Sequence, residues 1–315
     1  MSRASAQYLG KVMDHLISSV GLSRKEIESL FHVADEFNEG VFSFVDSGTT
    51  LALLFEKPST RTRVSFESAM IKLGGESIYI DASTTQISRG ETIGDTARVI
   101  SSYVDMIAAR MYRHSDIVQL ARYSSVPVIN ALTDLEHPCQ ALSDLYTIKQ
   151  VKGKIDGIKI AFVGDIAANT ANSLMVSATL MGANVALVGP KGHQPNKKYV
   201  SIARKHGSVN IYSDIREGLK DADVIYTDTF VSMGQEKEAE RRRELFSAYQ
   251  VNRKLVGYAK KDAIIMHCLP AHRGEEITSD VLDGKRSAVW LQAQNKMIIE
   301  KAIILHLYKE KRGSL

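Results

Sequence analysis

Cysteine and proline are scarce in this chain: two cysteines, Cys139 and Cys268, and six prolines stand among 315 residues. Two thiols cannot build a disulfide framework, and they fit a protein of a reducing compartment. So little proline, with 21 glycines, excludes collagen-like and low-complexity chains. No apolar run approaches the roughly 18 residues of a membrane-crossing helix, so no membrane partner is expected. The N-terminal stretch MSRASAQYLGKVMDHL lacks the unbroken apolar segment of a secretory signal. A cytoplasmic protein is therefore expected. An excess charge of one sign is also missing: 40 Lys+Arg against 36 Asp+Glu leave +4. The basic run Arg241-Arg242-Arg243 is interleaved with acids in EKEAERRRE, which reads as a solvated helix face rather than a nucleic-acid surface.

What is present is an alternation of apolar strands and helical segments. At about 150 residues per domain the length suggests two domains, each long enough to bury a core without metal or disulfide staples. Downstream of residue 150 the runs IKIAFVG, NVALVG, DVIYTD, AIIMHCLP and AVWL (288–291) read as strands separated by helices. Upstream, LALLF, SIYI, MIAAR and VPVIN do the same. Continuous apolar strands between helices predict α/β architecture with parallel sheets covered on both faces. The expected division is 1–150 and 151–294, with a C-terminal helix over 295–315 packing back on the first domain.

In open α/β sheets ligands bind beyond the carboxyl ends of the strands, and reactive residue types gather there. After LALLF comes KPSTRTR. Ser59 suits a helix N-cap, and the helix runs to a Gly74-Gly75 stop. A helix N-terminus beside Ser59, Thr60, Arg61, Thr62 and Arg63 predicts an anion site for phosphate or carboxylate. No Walker motif is present, and IAFVGDIAAN lacks the G-x-G-x-x-G of dinucleotide binders, so no nucleotide cofactor is expected. His137, beside a proline turn, can polarise a carbonyl oxygen or serve as a structural histidine. Cys268 can be a thiolate, a metal ligand or core filler. His267, Cys268 and His272 lack a second ligand cluster of convincing spacing, so no metal is expected. Asp228 can await an ammonium or cap a helix.

Together, STRTR with SFE, EHPCQALSDLYTI, TDTFVSMGQE and HCLPAHRGEEI resemble the ornithine carbamoyltransferases over nearly the whole chain. STRTR and HPxQ resemble the wider carbamoyltransferase family; SMG and HCLP resemble the ornithine branch. The resemblance implies two parallel α/β domains with the active site in the cleft between them. It also implies assembly as a homotrimer or a multiple of trimers, and no cofactor. It implies carbamoyl-phosphate contacts from Ser59, Thr60, Arg61, Thr62, Gln86, Arg110, His137 and Gln140. Ornithine contacts would come from Asn169, Asp228, Ser232, Met233, Cys268 and Leu269. Arg110, His137, Asp228 and Cys268 would carry the chemistry. Three positions depart from the family pattern. GDIAAN keeps only the second of two usual asparagines, Leu291 stands where an acidic residue is usual, and Lys296 replaces an arginine that contacts carbamoyl phosphate.

The implied reaction moves a carbamoyl group from carbamoyl phosphate to the δ-amine of L-ornithine, giving citrulline and phosphate. It serves arginine biosynthesis, or citrulline breakdown in reverse. Its rivals are a carbamoyltransferase for aspartate or a modified ornithine, and a non-catalytic sensor on the same fold. An aspartate-type acceptor calls for extra cations in the second domain, where this chain offers Asp228 and a thiol. A sensor should have lost Arg61, His137, Asp228 and Cys268, and all are present.

Overall fold

A computed structural model of the chain describes residues 14–231 and 236–313. It forms two compact units, one running to Cys139 and resumed from Lys296, the other spanning Gln140–Asn295. The reading Ser232 and Met233 as ornithine contacts lies outside the described residues.

In the first unit β1 (Thr50–Phe55), β2 (Glu76–Asp81), β3 (Met106–Arg110) and β4 (Val128–Leu132) form one parallel sheet in the order β2-β1-β3-β4. Helices α1 (Arg24–Asn38), α2 (Thr60–Lys72), α3 (Ile93–Ser101) and α4 (His114–Tyr123) alternate with the strands. All five residues of β3 are buried, which is why MIAAR is apolar throughout rather than alternating. The α2 boundaries follow local chemistry. Ser59 accepts the Thr62 N–H at 3.4 Å at the start, and Gly74, at φ +85°, follows the last turn. β4 begins at Val128 because Pro127 has no N–H for the ladder, although its carbonyl accepts from Ile107 at 2.9 Å.

In the second unit β5 (Lys159–Val163), β6 (Asn184–Val188), β7 (Val209–Tyr212), β8 (Val224–Thr227) and β9 (Ile264–His267) form a parallel sheet in the order β7-β6-β5-β8-β9. Helix α5 (Pro138–Lys152) precedes the sheet, α6 (Asn169–Leu180), α7 (Lys197–Ala203), α8 (Ile215–Leu219), α9 (Ala239–Phe246) and α10 (Arg253–Val256) lie between its strands, and α11 (Ser279–Leu282) follows β9 before α12 (Val289–Gly313). Ala161, Val163, Ile225, Ile265 and Val289 share one buried core cluster.

One expectation needs correcting, and one strand escaped the sequence reading. AVWL is not a strand: Ala288 donates one hydrogen bond to the Ile265 carbonyl at 2.9 Å, and α12 begins at the next residue. The Val209–Tyr212 strand went unread because a short edge strand with two exposed residues carries little apolar signal. The two compact units part at 139–140, because α5 is tied to β8 and to the start of α12 through Asp144. Its carboxylate accepts from Tyr226 Oη at 2.8 Å and Gln292 Nε2 at 2.7 Å.

Both sheets reverse their winding direction at one place, between β1 and β3 and between β5 and β8. At such a switch point the loops leaving two neighbouring strands diverge and open a crevice. Register decides which residues meet there. Phe55 pairs with Arg110 and with Asp81, Val163 pairs with Thr227, and Thr227 pairs with His267.

Candidate functional site

The first unit gathers cations at its switch point. Arg110 ends β3 in register with Phe55, so the STRTR turn leaves the sheet beside it. Arg110 is buried, and its Nε has no hydrogen-bond partner among the described residues. Burial, then the charge of Arg61, pushes its pKa down to about 10, so the guanidinium stays charged at neutral pH. Arg61 is exposed at the start of α2. Arg63 is already engaged, bound to Glu67 at 3.0 Å and lying 3.9 Å over the Tyr79 ring. Of the two guanidinium groups in the motif, Arg61 alone is therefore left for an anion. Thr62 is buried one residue on.

His137 and Lys296 belong to the same charge-coupled group. Burial, then Lys296 and Arg110, holds the His137 imidazole well below its ordinary pKa, so the ring is neutral. A neutral ring is a hydrogen-bonding group for a carbonyl oxygen and not a counter-ion. Its neighbour Glu136 is structural, accepting from Ser18 Oγ at 2.5 Å and the Ser19 N–H at 2.6 Å. Lys296 is buried, 3.1 Å from Glu300 on the next turn of α12. The angles of that approach do not make a hydrogen bond, and Lys296 Nζ has no other partner among the described residues. Gln86 stands exposed in the turn after β2, whose last residue Asp81 pairs with Phe55. Gln140 falls in the second unit, its Nε2 committed to Asp144 at 2.8 Å.

The second unit gathers a carboxylate, a thiol and a hydroxyl at its own switch point. Because Thr227 pairs with His267, the next residues, Asp228 and Cys268, leave the sheet side by side. Cys268 Sγ donates to Asp228 Oδ1 at 2.9 Å, the Thr229 N–H donates to the same oxygen at 2.7 Å, and Thr170 Oγ1 donates to Oδ2 at 2.7 Å. Asp228 is thus not a helix cap. Thr170 lies in the first turn of α6 next to Asn169. Burial, then the Asp228 charge, raises the Cys268 pKa well above the usual thiol range. That corrects the thiolate reading: the sulfur is a protonated donor.

Leu269 takes φ +59°, a left-handed conformation that costs a leucine roughly 1–2 kcal/mol. It is held there by its N–H, which donates to His267 Nδ1 at 2.8 Å. That leaves His267 Nε2 to donate to the buried Glu276 at 3.2 Å, which also accepts the His272 N–H at 2.5 Å. Among the described residues, His272, Glu275 and Glu276 bring ligand atoms within 4.8 Å of one another; His267 and Cys268 do not join them. One side of the neighbouring loop is braced by Asp165. It binds His193 at 2.7 Å and Arg242 at 2.5 Å, and Arg242 Nε reaches the Phe230 carbonyl at 2.7 Å. The basic run is therefore not wholly solvated, since Arg242 is buried. Sequence reasoning missed Asp144, Tyr226, Thr170, Glu276 and Glu300. Only the four-residue spacings Gln140–Asp144 and Lys296–Glu300, which put each pair on one helix face, announced any of them.

Each half of the chain has a counterpart among known proteins. Residues 14–150 match the carbamoyl-P binding domain of the aspartate/ornithine carbamoyltransferases, and residues 156–307 match the Asp/Orn binding domain. An anabolic ornithine carbamoyltransferase of Pyrococcus furiosus is 53% identical over 262 residues, 82% of this chain and 83% of the relative. The ornithine carbamoyltransferase of Anoxybacillus flavithermus is 47% identical over 96% of this chain and 98% of its own. A solved ornithine carbamoyltransferase structure from Pyrococcus furiosus superposes with a TM-score of 0.88 at 48% identity, covering 92% of this chain and 95% of the other. On both domain patterns and on relatives that match almost end to end, the chain belongs to the aspartate/ornithine carbamoyltransferase family.

Proposed function

We propose that this chain transfers the carbamoyl group of carbamoyl phosphate to the δ-amine of L-ornithine, releasing L-citrulline and phosphate. The observation that carries this reading is the separation of charge between the two switch points. Arg61, Arg110 and Lys296 with a neutral His137 mark the first unit, and Asp228 with its three donors marks the second. An anionic donor fits the first set and an amine acceptor fits the second.

Three demands of the reaction assign the roles. Leaving phosphate gains charge as its C–O bond breaks, which suits Arg61, Arg110, Lys296 and the positive end of α2, where Ser59, Thr60 and Thr62 lie. The carbamoyl oxygen gains charge in the tetrahedral transition state. On this reading Arg110 and His137 donate to it, each worth around 3 kcal/mol when preorganised. The nucleophile must be a neutral amine, and removing its proton at pH 7 costs roughly 4.6 kcal/mol for an alkylammonium of pKa near 10.4. Asp228 attracts that ammonium, Cys268 and Leu269 line its approach, and Asn169 lies beside Thr170 for the amino-acid end. Gln86 and Gln140 complete the carbamoyl-phosphate contacts on this reading, as Ser232 and Met233 complete those for ornithine. An aspartate acceptor is disfavoured because Arg242, the buried cation of this region, is committed to Asp165.

The reading includes no cofactor, a cytoplasmic location in keeping with two free thiols, and a trimer or multiple of trimers, which light scattering would check. Among the described residues, no helix is long and apolar enough to cross a membrane. The deciding experiment measures carbamoyl transfer to ornithine, aspartate, acetylornithine and putrescine. Ornithine should be strongly preferred; comparable or faster turnover of another acceptor overturns the assignment.

A further inference from the structure

Glu300 is a carboxylate inside a cluster otherwise built from cations. It is fully buried on α12, with Lys296 Nζ 3.1 Å away one turn earlier. Neither of its oxygens has a geometrically sound hydrogen bond among the described residues, and neither does Lys296 Nζ. A buried ion pair left this loosely bonded is a poor stabilising device, because desolvating two charges offsets most of their attraction. A pair kept only for stability would be expected to satisfy its remaining donors and acceptors. Here the ammonium keeps donors in reserve, while Arg110 Nε, in the same coupled group, is also unpartnered.

We propose that Glu300 is a positioning residue for carbamoyl phosphate, holding the Lys296 ammonium in place so that its spare donors meet the phosphate. The proposal rests on the carbamoyltransferase reading above. The surrounding charges explain why an internal anion is required. The charge of Lys296 acts on His137 and Cys139 at the turn that opens α5, and the charge of Arg110 from the end of β3 also acts on His137. Arg61 from α2 couples to Arg110, and the Ser65 hydroxyl of α2 lies near Glu300. Without an anion, an ammonium buried beside this group of cations would tend to turn away from it. The bound phosphate supplies negative charge only after it arrives. Glu300 supplies it beforehand, so the third cation is preorganised when the site is empty.

Steady-state kinetics on the full-length enzyme test this. Glu300→Gln keeps size and removes the charge. It should raise the carbamoyl-phosphate KM about tenfold, mid-range for side chains in direct contact, and weaken inhibition by inorganic phosphate in parallel. The ornithine KM should stay within about twofold. Glu300→Asp should recover part of the loss. In a Lys296→Met background the Glu300→Gln change should add nothing further to the carbamoyl-phosphate KM. Unchanged carbamoyl-phosphate KM in Glu300→Gln, or an equal increment with Lys296 already absent, overturns the proposal. A wild-type enzyme that fails to carbamoylate ornithine overturns the functional reading instead, so the two failures are distinct.

Discussion

The thiol of Cys268 donates to Asp228 at 2.9 Å, and an ionised sulfur would instead face that carboxylate charge to charge. Its raised pKa keeps it protonated across the working range, so any rise of activity with pH should report the substrate amine and not the thiol. Cys268→Ser should therefore preserve the shape of the kcat/KM profile. It should raise the ornithine KM by roughly two- to tenfold, the value of one neutral hydrogen bond. A profile whose alkaline rise disappears in the serine variant would assign the proton chemistry to sulfur. The two arginines of STRTR offer a matched pair for comparison. Arg61→Ala should lower kcat/KM for carbamoyl phosphate roughly 10- to 150-fold, from the 1.5–3 kcal/mol of a charge-assisted bond. The fold should hold, since Arg61 is exposed. Arg63→Ala removes the Glu67 pair and the Tyr79 stack, costing stability of up to about 1 kcal/mol with little kinetic change. Reversal of that order would move the anion site along the helix.

At the scale of elements, Asp144 shows how α5 is joined to its sheet. One buried carboxylate accepts from Gln140, Gln292 and Tyr226, bringing α5, the first turn of α12 and β8 together. Gln292 Oε1 in turn accepts the His267 N–H at 2.9 Å, at the end of β9. Asp144→Ala would strand three buried donors and should destabilise the fold by about 3–5 kcal/mol. Asp144→Asn, which keeps one acceptor, should cost less; equal midpoints in denaturant for wild type and the alanine variant would refute the assignment. The same elements show what was legible beforehand. LALLF, MIAAR and KIAFV read as strands because both sheet faces are covered, so burial wrote an unbroken apolar run into each. AVWL carried the same signature for a different reason: Val289 buries the start of a helix, and periodicity over four residues cannot separate the two. Motif residues after strand ends were legible because the fold class fixes where ligands bind. The carboxylates that organise them were not. Glu276 and Glu300 look like ordinary surface acids until the backbone folds them away from water.

For the whole molecule, the buried titratable groups predict stability limits on both sides of neutrality. His137 has a folded pKa well below 6.5, so once pH falls under that value the unfolded chain takes up a proton that the folded chain refuses. Stability attributable to His137 is therefore present above about pH 6.5 and lost as pH falls, by up to about 1.4 kcal/mol per unit. The thiols act with the opposite sign. Cys139 is pushed up to about 12 by burial, then by Glu300, and Cys268 is also raised. Above an unfolded thiol pKa of about 8.5 the unfolded chain releases protons that the folded chain retains. Each thiol's contribution is thus whole below about pH 8.5 and lost as pH rises, again by up to about 1.4 kcal/mol per unit. Tyr226, raised by burial and Asp144, adds to the loss once the pH passes its ordinary value. Denaturant unfolding of wild type and Cys139→Ala between pH 6 and 10 separates these contributions. Cys139 is wholly buried, with its sulfur 3.4 Å from the Asn130 carbonyl, so the variant should start less stable at pH 7 and then decline less steeply above about pH 8.5. Parallel curves across that range would show that Cys139 ionises as readily folded as unfolded.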